Sequence, residues 1–465
     1  MTSPLLFNAA PMYTASHAHH GQWRRPEAID PEFNDVRLWI ELAKKLEAAC
    51  FDGIFFPDIS GHHGPVDVPI DTIVEEGLQL PSNDPLVLLS ALATHTEHIG
   101  LAFTSSILQS QPFTFARQIS TLDHISGGRA SWNIVTGWQH NGARNFGLKG
   151  LPEHDSRYEW AEEYVEVAYK LWEGSWDEGA LLKDRKNSRF SDPSKVHKIY
   201  HEGPRYRVEG PHLPSPSPQR TPFLYQAGAS RAGRTFAARH AEGVFLATST
   251  PEGAREQIEQ TRALAVEHGR RPEDIKFFPG LSFIVGDTAE EARAKADHVR
   301  SYISAAGLLA HMAVVDENGR AYPLDTPLSV VTTPAQQGSI ERARSRITDR
   351  EPVVEDLAYE LSSNPIVGTP EQIADELEHW RDAGADGINV MSYILNDYAE
   401  FADKVIPVLQ DRGLAKTQYN EGSYRKKVFG QDLVNERHPA ASYRGAFTNG
   451  PRSWDEATAQ EPSLL

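Results

Sequence analysis

Five histidines crowd two short stretches of the chain, His17, His19 and His20, then His62 and His63. Imidazole can bind a divalent ion, or take and give a proton near neutral pH. A hydrolytic zinc site needs three protein ligands around an open position. The spacing His17-x-His19 offers two, but the later strand ends Gln226 to Gly228, Thr248-Ser249 and Met391-Ser392 add none, so no metal is expected. A second kind of chemistry sits at Gly228 to Thr235, which reads GASRAGRT. A turn of small residues that opens a helix exposes backbone N–H groups, and the helix dipole favours an anion there. Arg234 stands where a P-loop would have lysine, so the reading is either a general anion site or an ordinary strand-to-helix turn. The stretch His154 to Tyr158 (HDSRY) could begin another helix and supply His, Arg and Tyr donors to the same phosphate. No G-x-G-x-x-G follows a strand, and no G-x-S-x-G is present, so neither a nicotinamide site nor a serine elbow is expected.

Strand-like and helix-like runs alternate to position these groups. Strands are predicted at Leu5 to Ala10, Gly53 to Pro57, Ile99 to Thr104, Ala130 to Val135, Thr221 to Gln226, Gly243 to Ala247, Ile275 to Val285 and Gly387 to Met391. Helices are predicted between them, beginning with Arg37 to Cys50, whose Leu38, Leu42 and Leu46 share one stripe. Others are Asp84 to His95, Phe113 to Ile125, Arg157 to Trp172, Ser230 to His240, Pro251 to His268, Pro370 to Ala383 and Tyr398 to Arg412. Eight of each is the count of an α/β chain folded as a (β/α)8 TIM barrel with insertions; a doubly wound open sheet is the competitor. One barrel over residues 1–417 is expected, with insertions at about 173–220 and 288–364, and a C-terminal surface arm over 418–465. In such a barrel, ligands meet the loops at the C-terminal strand ends, where the histidines and the glycine turn fall.

The 465 residues carry 46 Lys+Arg against 64 Asp+Glu, a net charge of −18, which excludes a nucleic-acid surface. The single cysteine, Cys50, excludes a disulfide framework and is expected in the core of the first helix; it fits a cytoplasmic protein. No apolar run is long enough for a membrane span, and Met1 to Tyr13 lacks the features of a signal peptide.

Several longer stretches carry a resemblance. They include HAHHGQWR (His17 to Arg24), FDGIFFPD (Phe51 to Asp58), STLDHISGGR (Ser120 to Arg129) and WNIVT (Trp132 to Thr136). Asn145 to Gly147, EHDSRY (Glu153 to Tyr158), DPSKVH (Asp192 to His197), SPQR (Ser217 to Arg220), YQAG (Tyr225 to Gly228) and VIPVLQDRG (Val405 to Gly413) complete the set. Together they resemble the flavin-dependent monooxygenases of the nitrilotriacetate, dibenzothiophene-sulfone and long-chain alkane type, within the bacterial-luciferase-like superfamily. The resemblance implies a TIM barrel that takes FMN as FMNH2 from a separate NAD(P)H-dependent flavin reductase. It implies use of O2, through a flavin peroxide, to oxidise or cleave a small catabolic substrate, in a homodimer or homotetramer. By position it implies phosphate contacts from His154, Tyr158 and Ser230, with backbone from Gly228 and Ala229. Asp58, Thr104 and Asn133 match positions facing the ribityl chain or isoalloxazine, and the 288–364 insertion matches the lid. His17, His20 and His311 are the candidates to protect or protonate the peroxide; His63 and Trp138 depart from the alkane pattern, so the substrate stays open. Within the family, the alternative is oxidative cleavage of an N-heterocycle such as a flavin, as in a riboflavin lyase; outside it, a metal-dependent TIM-barrel hydrolase.

Overall fold

The computed structural model describes residues 4–64, 69–228, 230–246, 248–316, 320, 322–331, 340–341, 343–344, 347–361, 364–451 and 453–456. Eight strands run β1 (Leu6–Ala9), β2 (Gly53–Phe56), β3 (Gly100–Ser106), β4 (Ala130–Val135), β5 (Phe223–Gln226), β6 (Gly243–Leu246), β7 (Lys276–Val285) and β8 (Gly387–Met391). Each pairs in parallel with its neighbours in chain order; β6 joins β7, and β8 joins β1, so the sheet closes. Parallel closure leaves no edge within the eight-stranded barrel and brings every C-terminal strand end to one face, while a short ninth strand, Ile366–Gly368, pairs with the end of β7 beyond it. Eight helices follow the strands: α1 (Val36–Ala48), α2 (Pro85–Ala93), α3 (Pro112–Ser126), α4 (His154–Tyr169), α5 (Arg231–His240), α6 (Pro251–Glu267), α7 (Pro370–Asp382) and α8 (Leu395–Asp411).

Most start with a sequence-encoded cap. Asp84 accepts from Leu86 N before Pro85 in α2, and Thr369 forms a reciprocal box with Gln372 in α7. The barrel interior is filled by Phe55, Ala102, Phe223, Tyr225 and Phe278, with a polar layer in which Asn8 Nδ2 donates to Asn389 Oδ1 at 3.0 Å.

Four departures from the sequence reading have local causes. In α1, the buried face is Trp39, Ala43 and Leu46, because the Trp39 ring sits against Tyr13 and Phe56 and turns the Leu38 stripe sideways. Cys50 lies past α1 in a left-handed turn (φ 63°) and is half-buried. Helix α4 begins at His154, three residues early, because Glu153 caps it by accepting from Asp155 N and Ser156 N. The 173–220 insertion, read as irregular chain, forms two antiparallel ribbons, Leu181–Asp184 with Arg189–Ser191 and His201–Glu202 with Arg207–Val208. Ala229 and Ala247, and parts of the 288–364 insertion, lie outside the described residues.

The C-terminal segment differs most from the surface arm expected of it. Ser423 caps a short helix, Tyr424–Phe429, that corks the N-terminal mouth of the barrel. The Tyr424 and Tyr225 hydroxyls meet at 2.5 Å, and a methyl group on Gly100 would come within 2.6 Å of the Tyr424 ring. Arg425 is fully buried, donating from Nε to Glu242 Oε1 at 2.6 Å and from Nη2 to Glu242 Oε2 at 2.8 Å and Pro222 O at 2.9 Å. Replacing it by an apolar residue strands the Glu242 carboxylate. Arg425→Leu should cost about 3–5 kcal/mol of stability, read as a large drop in thermal midpoint; a change under about 1 kcal/mol would show that the cork is dispensable.

Candidate active site

The loop after β1 and the insertion after β7 meet over the strand ends. Ser304 N donates to His20 O at 3.0 Å, Gln22 Nε2 to Val299 O at 2.9 Å, and Arg24 Nη2 to Tyr302 O at 2.6 Å. Ser304 also caps the helix Ala305–His311, accepting from Gly307 N, and this helix delivers His311 to the site. His20 Nε2 and His311 Nδ1 stand 2.7 Å apart, and His20 Nδ1 is 3.0 Å from Ser16 Oγ. The His311 ring stacks on His63 with centroids 3.9 Å apart.

Gln79 fixes the tautomer of His63. Its Nε2 donates to His17 O at 2.8 Å, so its Oε1, 2.8 Å from His63 Nε2, must accept. His63 therefore carries its proton on Nε2, and its Nδ1 is a buried acceptor with no partner. His19 stacks on Tyr393 at 3.9 Å and lies 3.1 Å from Ser282 Oγ. Of the expected trio, His20 and His311 touch directly, while His17 is half-buried and engages Gln79 through its carbonyl. His62 turns aside to His63 O at 2.7 Å. Gln79 and Ser282 carried no sequence signal, since their roles arise only from long-range packing, while Tyr393 was marked only by following the eighth strand.

Burial dominates the electrostatics of this wall. It lowers the pKa of His17 to about 4, and of His19 and His311 to about 3; His20 falls well below its ordinary value, with His311 and His63 adding repulsion. The imidazoles are thus uncharged at neutral pH. Beneath them is a cavity of about 220 Å³ lined by His19, His20, Ile303, Leu308, Met312 and Met391, with Tyr393 at its side. Its lining holds no Asp, Glu, Lys or Arg. Among the described residues, no group of three His, Cys, Asp or Glu side chains is arranged to hold a metal ion.

The remaining expected residues separate into two groups. Thr104 and Asn133 are register partners on β3 and β4; Asn133 Nδ2 donates to Thr104 Oγ1 at 2.9 Å, leaving Asn133 Oδ1 buried without a partner. Asp58 follows β2 beside Ser106, Trp138 and Gln139, and burial, with Asp84 nearby, raises its pKa to about 7. An orphaned acceptor and a carboxyl able to hold its proton suit the N–H groups and carbonyls of an isoalloxazine.

The second group lies at the start of α5. Ser230 caps the helix, accepting from Gly233 N at 3.0 Å, and the first-turn amides of Arg231 and Ala232 have no carbonyl one turn back to bond. A methyl group on Gly228 would come within 2.9 Å of Gly233 Cα and 3.0 Å of Tyr158 Oη, so the turn and the tyrosine close on one another only because glycine is there. Gln226 Oε1, just before this turn, is buried without a partner. His154 is exposed, bonded to Asp155 Oδ1 at 2.7 Å, with its ring 5.3 Å from Tyr158. Two expectations change here. The α4 N-terminal amides are taken by Glu153, and Arg157 donates to Gly137 O instead of pointing at the turn. A phosphate would therefore meet one helix N-terminus, not two, together with Ser230 and Tyr158.

A closed parallel barrel with a glycine turn capped by Ser230 at the start of α5, and an uncharged pocket at its C-terminal strand ends, defines a barrel built to take a small ligand at that face. The chain belongs to the luciferase-like monooxygenase family, whose model matches residues 12–387, and it is a flavin-dependent monooxygenase. It is 41% identical to the long-chain alkane monooxygenase of Geobacillus thermodenitrificans (strain NG80-2), over 97% of this chain and 100% of that one. It is 38% identical to the dimethyl-sulfide monooxygenase of Hyphomicrobium sulfonivorans (99% and 98% covered), and 34% identical to nitrilotriacetate monooxygenase component A of Aminobacter aminovorans (89% and 93%). Among solved structures, a riboflavin lyase with modified FMN and substrate riboflavin superposes with a TM-score of 0.84 at 34% identity, covering 95% of this chain and 100% of the other.

The histidine wall has a definite pH dependence. Its folded pKa values lie below the ordinary 6.5, so the packed wall binds fewer protons than solvated histidines would. The stability this packing contributes is fully present above pH 6.5 and is lost as pH falls towards 4, by about tenfold per buried histidine for each pH unit. Hydrogen exchange in the helix Ala305–His311 should accelerate steeply between pH 6.5 and 5 after correction for intrinsic rates. Protection that stays constant over that range would contradict the neutral wall.

Proposed function

We propose that this chain is the oxygenase component of a two-component system in the cytoplasm. It takes FMNH2 from a separate NAD(P)H-dependent reductase and uses O2 to oxidise a small, uncharged organic substrate in catabolism. The observation that carries the cofactor reading is the cradle of Gly228, Ser230, Gly233 and Tyr158, which suits one phosphate group. A mononucleotide presents one such group. The chain lacks a dinucleotide fingerprint of its own, which supports reduction elsewhere. The relative named component A, and the structure holding modified FMN, support the same reading.

When bound, reduced FMN supplies the activation of oxygen. The residues of this chain do the rest. Thr104, Asn133 and Asp58 would orient the ring; the lid insertion, tied down through His20, would exclude water. His20 and His311 hold one proton between Nε2 and Nδ1, where it can be offered to an oxygen atom at the mouth of the pocket. The cavity of about 220 Å³ admits roughly eight non-hydrogen atoms at interior packing density, and neutral imidazoles offer no counter-charge to a carboxylate or sulfonate. That favours an apolar substrate such as a thioether or short alkane over an aminopolycarboxylate. It also speaks against a second flavin as substrate, which is several times larger.

Ser230→Ala and Tyr158→Phe should each weaken FMN binding by about 1.5–3 kcal/mol, as for hydrogen bonds to charged groups, while riboflavin affinity stays unchanged. Equal losses for both flavins would remove the phosphate assignment. In reductase-coupled turnover, His20→Ala should lower product formed per reduced flavin and raise hydrogen peroxide release. Unaltered coupling in that variant would take the proton-holding role away from this pair.

A further inference from the structure

A second cavity, of about 560 Å³, lies outside the barrel between β7, β8, the inserted helix Ala289–Ser301 and the start of α8. Its floor is apolar, made by Phe283, Val285, Val390 and Phe401. Arg25 forms part of its wall, and that side chain is only 9% exposed. Nε and Nη2 of Arg25 are engaged by Glu27 Oε1 at 2.9 and 2.8 Å. Nη1 is buried with no hydrogen-bond partner; Asp397 Oδ2 is 3.9 Å away and already accepts from Tyr393 N at 3.2 Å and Ile394 N at 3.1 Å. A buried guanidinium N–H without an acceptor is costly and calls for one.

The rim says which acceptor. Glu27, Glu291, Asp397 and Glu400 face the space alongside only two permanent cations, Arg25 and Lys295, and Lys295 is satisfied by Glu400 at 2.6 Å and Val285 O at 3.0 Å. An anionic ligand would meet an excess of carboxylates, and a cationic one would leave Nη1 unsatisfied. An uncharged oxygen on an apolar body meets both conditions. We propose that this cavity is a second binding site, distinct from the substrate pocket, for an uncharged apolar molecule bearing one accepting oxygen, such as a medium-chain alcohol or ketone. The volume suits on the order of twenty non-hydrogen atoms at interior packing density.

The site borders the catalytic mouth. Ile284, Val299 and Tyr393 form the partition, and Tyr393 stacks on His19 at 3.9 Å on the other side. Asp397 holds the backbone of Tyr393 and faces Arg25, so an occupant would bear on the same wall that lines the substrate pocket.

The test is binding of 1-decanol to the full chain by saturation-transfer NMR and calorimetry, with decanoate as the charged control. Decanol should bind at least tenfold more tightly than decanoate. Arg25→Gln should weaken it about tenfold, and Ala294→Trp, which fills the cavity from the inserted helix, should abolish it while FMN affinity is unchanged. Leu308→Trp, which fills the substrate pocket instead, should leave decanol binding intact. Decanoate binding as tightly as decanol, retention of binding in Ala294→Trp, or its loss in Leu308→Trp would each overturn the proposal.

Discussion

One hydrogen bond between two imidazoles closes the working face of this barrel. His20 sits on the loop after β1 and His311 on the inserted helix Ala305–His311, 291 residues apart in sequence. At 2.7 Å the pair accommodates one hydrogen on the N···N line, so the two rings cannot both present a proton to each other. Everything nearby reinforces that uncharged state: His63 stacks on His311, Gln79 dictates the tautomer of His63, and burial makes protonation costly. The loop's backbone and side-chain bonds to residues 299–304 follow the same seam. Neutral histidines packed beneath the insertion thereby set the polarity of the pocket.

The barrel and the insertion divide the work. Rigid strand ends from β2 to β5, and the capped start of α5, present the groups that suit a flavin. The uncharged pocket is built from the other side, by β7, β8, the first loop and the helix Ala305–His311. In the function proposed above, this division lets the wall that meets the substrate vary without disturbing the turn that meets the cofactor. It fits a family whose members named above act on an alkane, dimethyl sulfide and nitrilotriacetate.

Legibility in the sequence followed the range of the interactions. Strands and helices set by local patterning and caps, such as Asp84-Pro85 or the glycine turn before α5, emerged at nearly their observed positions. Thr104 and Asn133 were named through the family resemblance, and the register of β3 on β4 is what sets them side by side. What stayed hidden was decided by distant partners. The polar tail after Thr417 carries no periodicity, yet Tyr424 and Arg425 are buried because Tyr225 and Glu242 receive them some 180–200 residues away. Glu153 opens the EHDSRY stretch but had no role of its own in the sequence reading, and it takes the α4 amides that were expected to be free for a ligand. Gln79 has no motif at all, and Tyr393 only its place after β8; their importance lies in which histidine each one meets.

The claim on which the rest turns is that the histidine wall is neutral at working pH. It is tested most directly by recording ¹⁵N and ¹³C chemical shifts of selectively labelled imidazoles from pH 8 to 5, with His20→Gln and His311→Gln spectra for assignment. The account requires that the His20 and His311 resonances keep the neutral-ring pattern throughout, with His63 as the Nε2–H tautomer. Titration of either His20 or His311 with a midpoint near the ordinary 6.5 would contradict it.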